Sequence, residues 1–171
     1  MRRTTFSLKF ALIGLALAVA SPQPATAQAA ASAYRYNAPP GWVREVEGDI
    51  ESLTPQTEPS GSVQMMLMAP KPASGDFRAQ FETERAALES FWGLKAPHAT
   101  PLQSGQAAVG QYAAYFASYD SDGGARYMGF MALGTPQQFA LLVFVASSHD
   151  AFNHVAPQAT EVFKTLSIVA R

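Results

Sequence analysis

The sequence contains no cysteine. Disulfide bonds are therefore excluded, and the fold must be stabilised by the burial of a hydrophobic core. A lipoprotein also needs a cysteine at its cleavage site to carry the acyl groups. We therefore predict that the chain has no lipid anchor.

Long hydrophobic runs are almost absent as well. One run, Phe10 to Ala20, is about half of the roughly 20 residues that span a bilayer. Basic residues precede it, and small residues ending in Ala25-Thr26-Ala27 follow it, which is the order of a secretory signal peptide. We predict a signal peptide over residues 1–27, cleavage near Ala27, no membrane span, and a periplasmic or secreted mature protein.

The export route is left open by the first residues of the chain. Arg2-Arg3 resembles a twin-arginine signal, which would imply folding before export. Phe6 lies one position late for that pattern, however, and the hydrophobic run is strongly apolar. The general secretory route is therefore favoured over the twin-arginine route.

Basic charge is also scarce. The chain has 12 lysines and arginines against 13 aspartates and glutamates, and Arg2, Arg3 and Lys9 fall in the signal peptide. The mature protein is therefore mildly acidic and has no basic stripe that would follow a phosphate backbone. We predict that it does not bind nucleic acid.

The stretch Ser147-Ser148-His149-Asp150 contains the residue types of a serine hydrolase. Neighbours in sequence rarely face one another as a triad requires, and the chain has no Gly-x-Ser-x-Gly turn. Ser148 is better explained as the N-cap of the following helix. Asp150 is better explained as a negative charge that stabilises the positive, N-terminal end of the helix dipole. The Gly-x4-Gly-Lys phosphate loop is missing too. We predict no catalytic residues and no enzyme activity.

Possible metal ligands are few. Asp150 and His154 have the i, i+4 spacing of a helical pair, and Met66 and Met68 share one face of a predicted strand, with Met65 on the other. A solvated helix surface explains the first pair, and core filling under aromatic side chains explains the methionines. We therefore assign no metal and no cofactor site.

Four acidic residues lie close together near the start of the domain: Glu45, Glu47, Asp49 and Glu51. Paired carboxylates can hydrolyse glycosides, but an alternating pattern on an exposed strand favours a solvated acidic face. Such a face can also receive a basic partner or discourage unwanted strand pairing. We predict an exposed acidic hairpin here.

The first half of the domain begins after a leader at residues 28–33. Tyr34-Arg35-Tyr36 suits a short strand, and Pro39-Pro40-Gly41-Trp42 ends it, reverses the chain and returns a tryptophan to the core. The acidic hairpin and an interior strand over Val63-Gln64-Met65-Met66-Leu67-Met68-Ala69 follow. A helix over residues 74–94 comes next, capped by Ser74 or Asp76, stopped by Gly93, with an apolar stripe of Phe77, Phe81, Leu88 and Phe91/Trp92.

The second half predicts a meander of three antiparallel strands at Gly110 to Asp120, Ala125 to Leu133 and Phe139 to Ala146. A terminal helix follows. We expect Pro157 to divide it into a turn over His149 to Ala156 and a second helix that begins at the proline. Ser167-Ile168-Val169 is a candidate last strand. The fold class is α+β, with residues 34–171 as one domain.

This order resembles the PsbP-like superfamily, which includes PsbP and DcrB-type envelope proteins. Four stretches carry the resemblance: Asn37 to Trp42, the strand segment Leu141 to Ser148, Asp150-Ala151-Phe152-Asn153, and Glu161 to Ile168. The resemblance implies an antiparallel sheet between a long central helix and a C-terminal helix, an α/β/α sandwich. It also implies a protein that binds other proteins, with no shared catalytic residue set.

Two functions remain open at this point. The first is a non-enzymatic periplasmic or secreted accessory protein that contacts an envelope protein partner. The second is a small-ligand or metal carrier with a pocket between the aromatic helix and the sheet, for which Met66, Met68, His149 or His154 are candidate contacts.

Overall fold

The computed structural model describes residues 32–56, 62–107, 110–120 and 125–169, without the side chains of residues 96–98 and 107. The predicted signal peptide, its cleavage site and most of the leader lie outside the described residues. So does most of the turn between the first two meander strands.

Thirteen helices and strands follow one another in the described part of the chain. The strands are β1 (Tyr34–Arg35), β2 (Trp42–Glu47), β3 (Ile50–Pro55), β4 (Val63–Met68), β5 (Lys71–Pro72), β6 (Lys95–Ala99), β7 (Gln103–Ala107), β8 (Gly110–Asp120), β9 (Arg126–Gly134), β10 (Gln138–Ala146) and β11 (Ser167–Ile168). The helices are α1 (Phe77–Phe91) and α2 (His149–Thr165).

Nine of the strands form one antiparallel sheet, and the order across it is β2-β3-β4-β10-β9-β8-β6. The short strand β5 also pairs with β10, and β7 also pairs with β8. The predicted meander is confirmed as β8, β9 and β10, and β4 lies inside the sheet as its two apolar faces predicted. β1 and β11, the predicted first and last strands, pair with each other apart from the main sheet.

The two helices cover opposite faces of the sheet. Phe81 of α1 packs with Phe130, Phe139 and Val143, whereas Val155 and Val162 of α2 pack in the other core cluster. Neighbouring residues of one strand point to opposite faces of the sheet. Because a helix covers each face, the central strands carry apolar side chains on both sides. The predicted α+β sandwich is therefore confirmed.

The Pro-Pro-Gly-Trp turn has the predicted architecture. The Trp42 amide donates to the Pro39 carbonyl at 3.2 Å, and Gly41 takes a φ of 77°, which favours glycine. Trp42 then opens β2, packs on the α2 side, and donates from Nε1 to Gln158 Oε1 at 2.7 Å. The turn thus fixes the first hairpin to the terminal helix.

Helix α1 has the predicted cap and stop, but it is three residues shorter at each end than the predicted span of 74–94. Asp76 caps it by accepting from the Ala79 amide at 2.9 Å, and Gly93 follows it with a φ of 62°. The predicted apolar stripe left Phe91 and Trp92 as alternatives for its last position, and Trp92 is the one that packs against the core on the α1 side. Phe91 is 74% exposed, because adjacent residues on a helix lie about 100° apart.

The predicted division of the terminal helix is wrong. α2 is continuous from His149 to Thr165 with Pro157 inside it. Pro157 and Asn153, four residues before it, are both on the exposed side of the helix. Water can therefore replace the hydrogen bond that the proline cannot donate, and the buried residues Val155, Ala159 and Val162 keep one apolar face on the sheet.

Candidate binding surface

The β2–β3 hairpin carries the acidic residues that the sequence singles out. Its strands pair in register from Trp42 opposite Pro55 to Glu47 opposite Ile50, and Gly48, with a φ of 58°, lies in the two-residue turn. The predicted alternation is confirmed: Val43, Glu45 and Glu47 share one face with Ile50, and the intervening residues of β2 share the other. Glu45, Glu47 and Asp49 are exposed.

Glu51 does not belong to this exposed set, and the expectation that it does is wrong. Its side chain is 5% exposed because it points to the same face as Leu53 and lies opposite Leu67 of β4. That face of the hairpin packs towards the α2-side core. The alternation of Glu51 with Leu53 is the signal in the sequence that would have placed it there.

Four hydrogen bonds satisfy the buried carboxylate of Glu51. Arg44 donates from Nε at 2.6 Å and from Nη2 at 3.2 Å, Ser32 donates from Oγ at 2.5 Å, and the Tyr36 hydroxyl donates to Oε1. Burial raises the pKa of Glu51, but the hydrogen bonds from Arg44, Ser32 and Tyr36 outweigh it and hold this pKa below its usual value. These four residues form the Glu51 network, which fastens the start of the domain to the hairpin.

The other face of the hairpin is open. It comprises the side chains of β2, β3 and β4 that point to the α1 side of the sheet, all half-buried or exposed: Val43, Glu45, Glu47, Ile50, Ser52, Thr54, Gln64, Met66 and Met68. We call these nine residues the open face. Helix α1 packs on β8, β9 and β10, so it lies to one side of them.

The open face combines apolar and acidic groups. Met66 and Met68 adjoin the α1-side core, Val43 is 36% exposed, and the carboxylates of Glu45 and Glu47 stand at the outer strand. No lysine or arginine in the described ranges forms an ion pair with either carboxylate. A half-exposed face of apolar and neutral polar side chains with a negative border is suited to a partner with a complementary basic border.

The residues considered for a carrier site do not come together. Met66 and Met68 lie on the α1 side of the sheet, with Met65 buried on the other, as the alternation predicted. His149 packs on the ring of Tyr127 at 4.7 Å between centroids, on the α2 side. His154 is an exposed residue of α2. The methionines and the histidines therefore cannot line a single pocket.

The Ser147 to Asp150 stretch has the predicted structural role. Ser148 Oγ accepts from the Ala151 amide at 3.1 Å as the cap of α2, and Asp150 lies in the first turn. All four residues of the stretch are exposed. Within the described residues, no group of three or more histidines, aspartates and glutamates is placed to hold a metal ion.

The surface of the described residues includes two shallow clefts. One, of about 140 Å³, adjoins the Glu51 network and is lined by Tyr34, Val46 and Pro70 among others. The second, of about 280 Å³, lies between the start of α1 and the β9–β10 turn, and we call it the α1 cleft. Phe77 and Phe139 line the α1 cleft together with four glutamines: Gln80, Gln106, Gln111 and Gln138. The sequence analysis places a carrier pocket between the aromatic helix and the sheet, but none of its candidate contacts lines this cleft, whose residues are far apart along the chain.

Neither α1 nor α2, the helices of the described chain, combines the length and the apolarity needed to cross a bilayer.

No protein-family model matches the sequence, and no curated protein sequence does either. Solved structures do match. The Ran-binding protein Mog1p of Saccharomyces cerevisiae is 11% identical, with a TM-score of 0.55 over 80% of this chain and 90% of its own. LpqN of Mycobacterium tuberculosis, described as involved in cell envelope biogenesis, is 10% identical, with a TM-score of 0.57 over 80% and 83% of the two chains.

The cyanobacterial PsbP protein of Synechocystis is similar to the same extent. It is 10% identical, with a TM-score of 0.57 over 80% of this chain and 87% of its own. Identities this low relate the folds alone. Together with the sheet order and the two covering helices, they show that the chain has a PsbP-like α+β fold.

Proposed function

We propose that this chain is a non-enzymatic accessory protein of the cell envelope that acts by binding another protein. It is a single domain over residues 34–171, periplasmic or secreted once the signal peptide at 1–27 is removed. The open face is the observation that carries this proposal. A sheet face of nine half-buried or exposed residues, beside a helix that leaves it uncovered, provides a partly apolar surface with a fixed backbone.

Three further features support a binding role. The solved structures that share this fold include a Ran-binding protein and a protein of envelope biogenesis. The Glu51 network holds the hairpin in place, so the open face is preorganised and its ordering costs little on binding. In the Ser147 to Asp150 stretch, Ser148 caps α2 and His149 packs on the ring of Tyr127, so both have structural contacts.

A photo-crosslinking residue at Ser52 tests this proposal. Ser52 lies in the middle of the open face, between Glu45 of β2 and Met66 of β4. In the native host we expect irradiation to link this position to one discrete polypeptide, which mass spectrometry of the crosslinked band identifies. The yield should fall several-fold when purified, unlabelled protein is added as competitor.

The matched control places the same crosslinker at Thr160, an exposed position on α2 at the opposite side of the sheet. We expect no discrete product from Thr160. Equal products from Ser52 and Thr160, or none from Ser52, would contradict a docking role for the open face.

The α1 cleft favours a second function, a carrier of a small uncharged ligand. Its lining contains two aromatic rings and four amide side chains and no charged residue. A bound ligand would raise the melting temperature, and the rise would grow with the logarithm of the ligand concentration divided by the dissociation constant. A thermal-shift screen of uncharged polar compounds is expected to show a rise that Gln111→Ala weakens. If the melting temperature stays constant across the screen, the carrier function is wrong.

A further inference from the structure

Strand β2 is the end of the nine-stranded sheet, and β3 is its only neighbour in the described chain. In an antiparallel pair, alternate residues direct both backbone groups towards the partner strand. The Gln56 amide donates to the Gly41 carbonyl at 2.7 Å, which puts Val43, Glu45 and Glu47 in the inward-directed series. The N–H and C=O groups of Arg44 and Val46 therefore point away from the sheet.

The opposite edge of the sheet is built differently. There the edge is divided between β6 and β7, which both pair with β8, and the register shifts between Lys95 and His98. Pro97 and Pro101 interrupt the same stretch. Short strands, irregular register and proline are features that protect a sheet edge from further pairing. β2 contains no proline and no register shift, since its six residues pair with β3 without a break.

The side chains of β2 make this edge selective, because its exposed carboxylates discourage neutral and acidic strands but attract basic ones. Val43 and Val46 are 36% and 39% exposed and lie on opposite faces of the strand. The guanidinium of Arg44 is held by Glu51, so the free charges along the strand are the carboxylates of Glu45 and Glu47. The β2 edge is thus apolar on both faces and negative on one.

A second copy of this chain is a poor occupant of the edge. An antiparallel pair of β2 strands has its two-fold axis at Arg44, at Glu45 or at Val46. These registers place Val43 opposite Glu45, Glu45 opposite Glu45, or Glu45 opposite Glu47. Each one sets a carboxylate against a carboxylate or a valine, which is unfavourable for a cross-strand pair.

We propose that β2 receives an extended basic segment of the partner protein, which adds to the sheet as a further antiparallel strand. This inference rests on the proposed function and specifies its partner. The added strand would donate to and accept from the outward backbone groups of Arg44 and Val46. The added strand has basic residues opposite Glu47 and Glu45 and apolar residues opposite Val46 and Val43. A polar residue lies opposite Arg44. Read from the N-terminus of the added strand, the order is therefore basic, apolar, basic, polar, apolar.

A labelled synthetic peptide, Thr-Lys-Val-Lys-Ser-Val-Thr, tests this proposal with the purified chain. We expect saturable binding by fluorescence anisotropy at low salt, and slower hydrogen exchange of the Arg44 and Val46 amides in the complex. Val46→Pro removes one outward N–H without removing a β2–β3 hydrogen bond, and it should weaken binding about tenfold or more. Val46→Thr is the matched control, since it keeps the N–H and the branched side chain, and it should bind within about threefold of the parent.

The charge requirement is tested separately. The double substitution Glu45→Lys and Glu47→Lys should reverse the preference, so that Thr-Glu-Val-Glu-Ser-Val-Thr binds better than the basic peptide. Glu161→Lys on the exposed surface of α2 is the control and should leave the preference unchanged. Circular dichroism confirms that each variant is folded.

Three results would overturn the proposal: no binding of the basic peptide to the parent chain, equal binding of the basic and acidic peptides, or full binding by a folded Val46→Pro variant. None of them touches the proposed function, which depends on the crosslink from Ser52. If the Ser52 crosslink forms and the peptide fails, the partner binds the open face by another geometry and strand addition is wrong.

Discussion

Replacing Phe81 by alanine is expected to lower the free energy of unfolding by about 4 kcal/mol. Phe81 is the buried residue of α1, with 0% exposure, and it packs with Tyr119, Phe130 and Phe139 of the sheet. Removal of the ring loses its burial and leaves a cavity that the surrounding strands cannot fill, because each is held on both sides in the sheet. Chemical denaturation should show the loss, and the melting temperature should fall by roughly 10 to 15 °C.

Phe91→Ala is the matched control on the same helix. Phe91 is 74% exposed, so its replacement removes little buried surface and places a better helix former near the C-terminus. We expect a change within about 0.5 kcal/mol. If Phe81→Ala and Phe91→Ala lowered the free energy of unfolding equally, α1 would not pack on the sheet through the face that contains Phe81.

Replacing Glu51 by glutamine is expected to destabilise the protein by about 2 kcal/mol at neutral pH. The glutamine amide has the size of the glutamate side chain, but one of its two oxygen acceptors is replaced by an NH₂ donor. That NH₂ group faces Ser32 or Arg44, which are themselves donors, so hydrogen bonds to residue 51 are lost. Arg44 is 41% exposed, so water still solvates its guanidinium in the variant. The loss of stability is therefore smaller than the loss expected when one partner of a fully buried ion pair is removed. Glu161→Gln breaks an exposed pair with Lys164 and should change stability by less than about 0.5 kcal/mol.

The pH dependence distinguishes lost charge from lost packing. The pKa of Glu51 is lowered in the folded protein, so its ionised form stabilises the fold above the unfolded value, about 4.3 for glutamate. That contribution disappears as the pH falls through the lower pKa of the folded state. The difference in stability between the parent and Glu51→Gln should therefore be constant above about pH 5 and narrow below about pH 4. A difference that is unchanged at low pH would assign the effect to packing.

In the β2–β3 hairpin, the face of each side chain could be predicted from the sequence, but its burial could not. The alternation of β2 predicts the faces of Val43, Glu45 and Glu47 correctly, because side chains of a strand alternate whatever lies beside it. Whether a face is buried depends on the neighbouring elements. Glu51 continues an acidic series in the sequence, yet it is buried beside Leu53 because Ser32 and Tyr36, from the start of the domain, lie against that face of the hairpin.

The residues that line the α1 cleft and the strands β6 and β7 could not be predicted from the sequence, for a related reason. Gln80, Gln111 and Gln138 come from three separate elements, and their meeting in the α1 cleft depends on how α1 crosses the sheet. β6 and β7 have no apolar alternation that would predict a strand, and they form because β8 offers them an edge. Long-range pairing, rather than local preference, produces both features.

The amino-acid sequence by itself determined the elements whose signals are local. These are the turn before Trp42, the capped helix α1 that ends before Gly93, and the three meander strands, because backbone preference, caps and hydrophobic period act within a few residues. Only the tertiary structure decided that Glu51 is buried, that Phe91 is exposed, and that β2 lies at the edge of the sheet. Burial and edge position are properties of what lies beside a residue in space, and distant parts of the chain supply those neighbours.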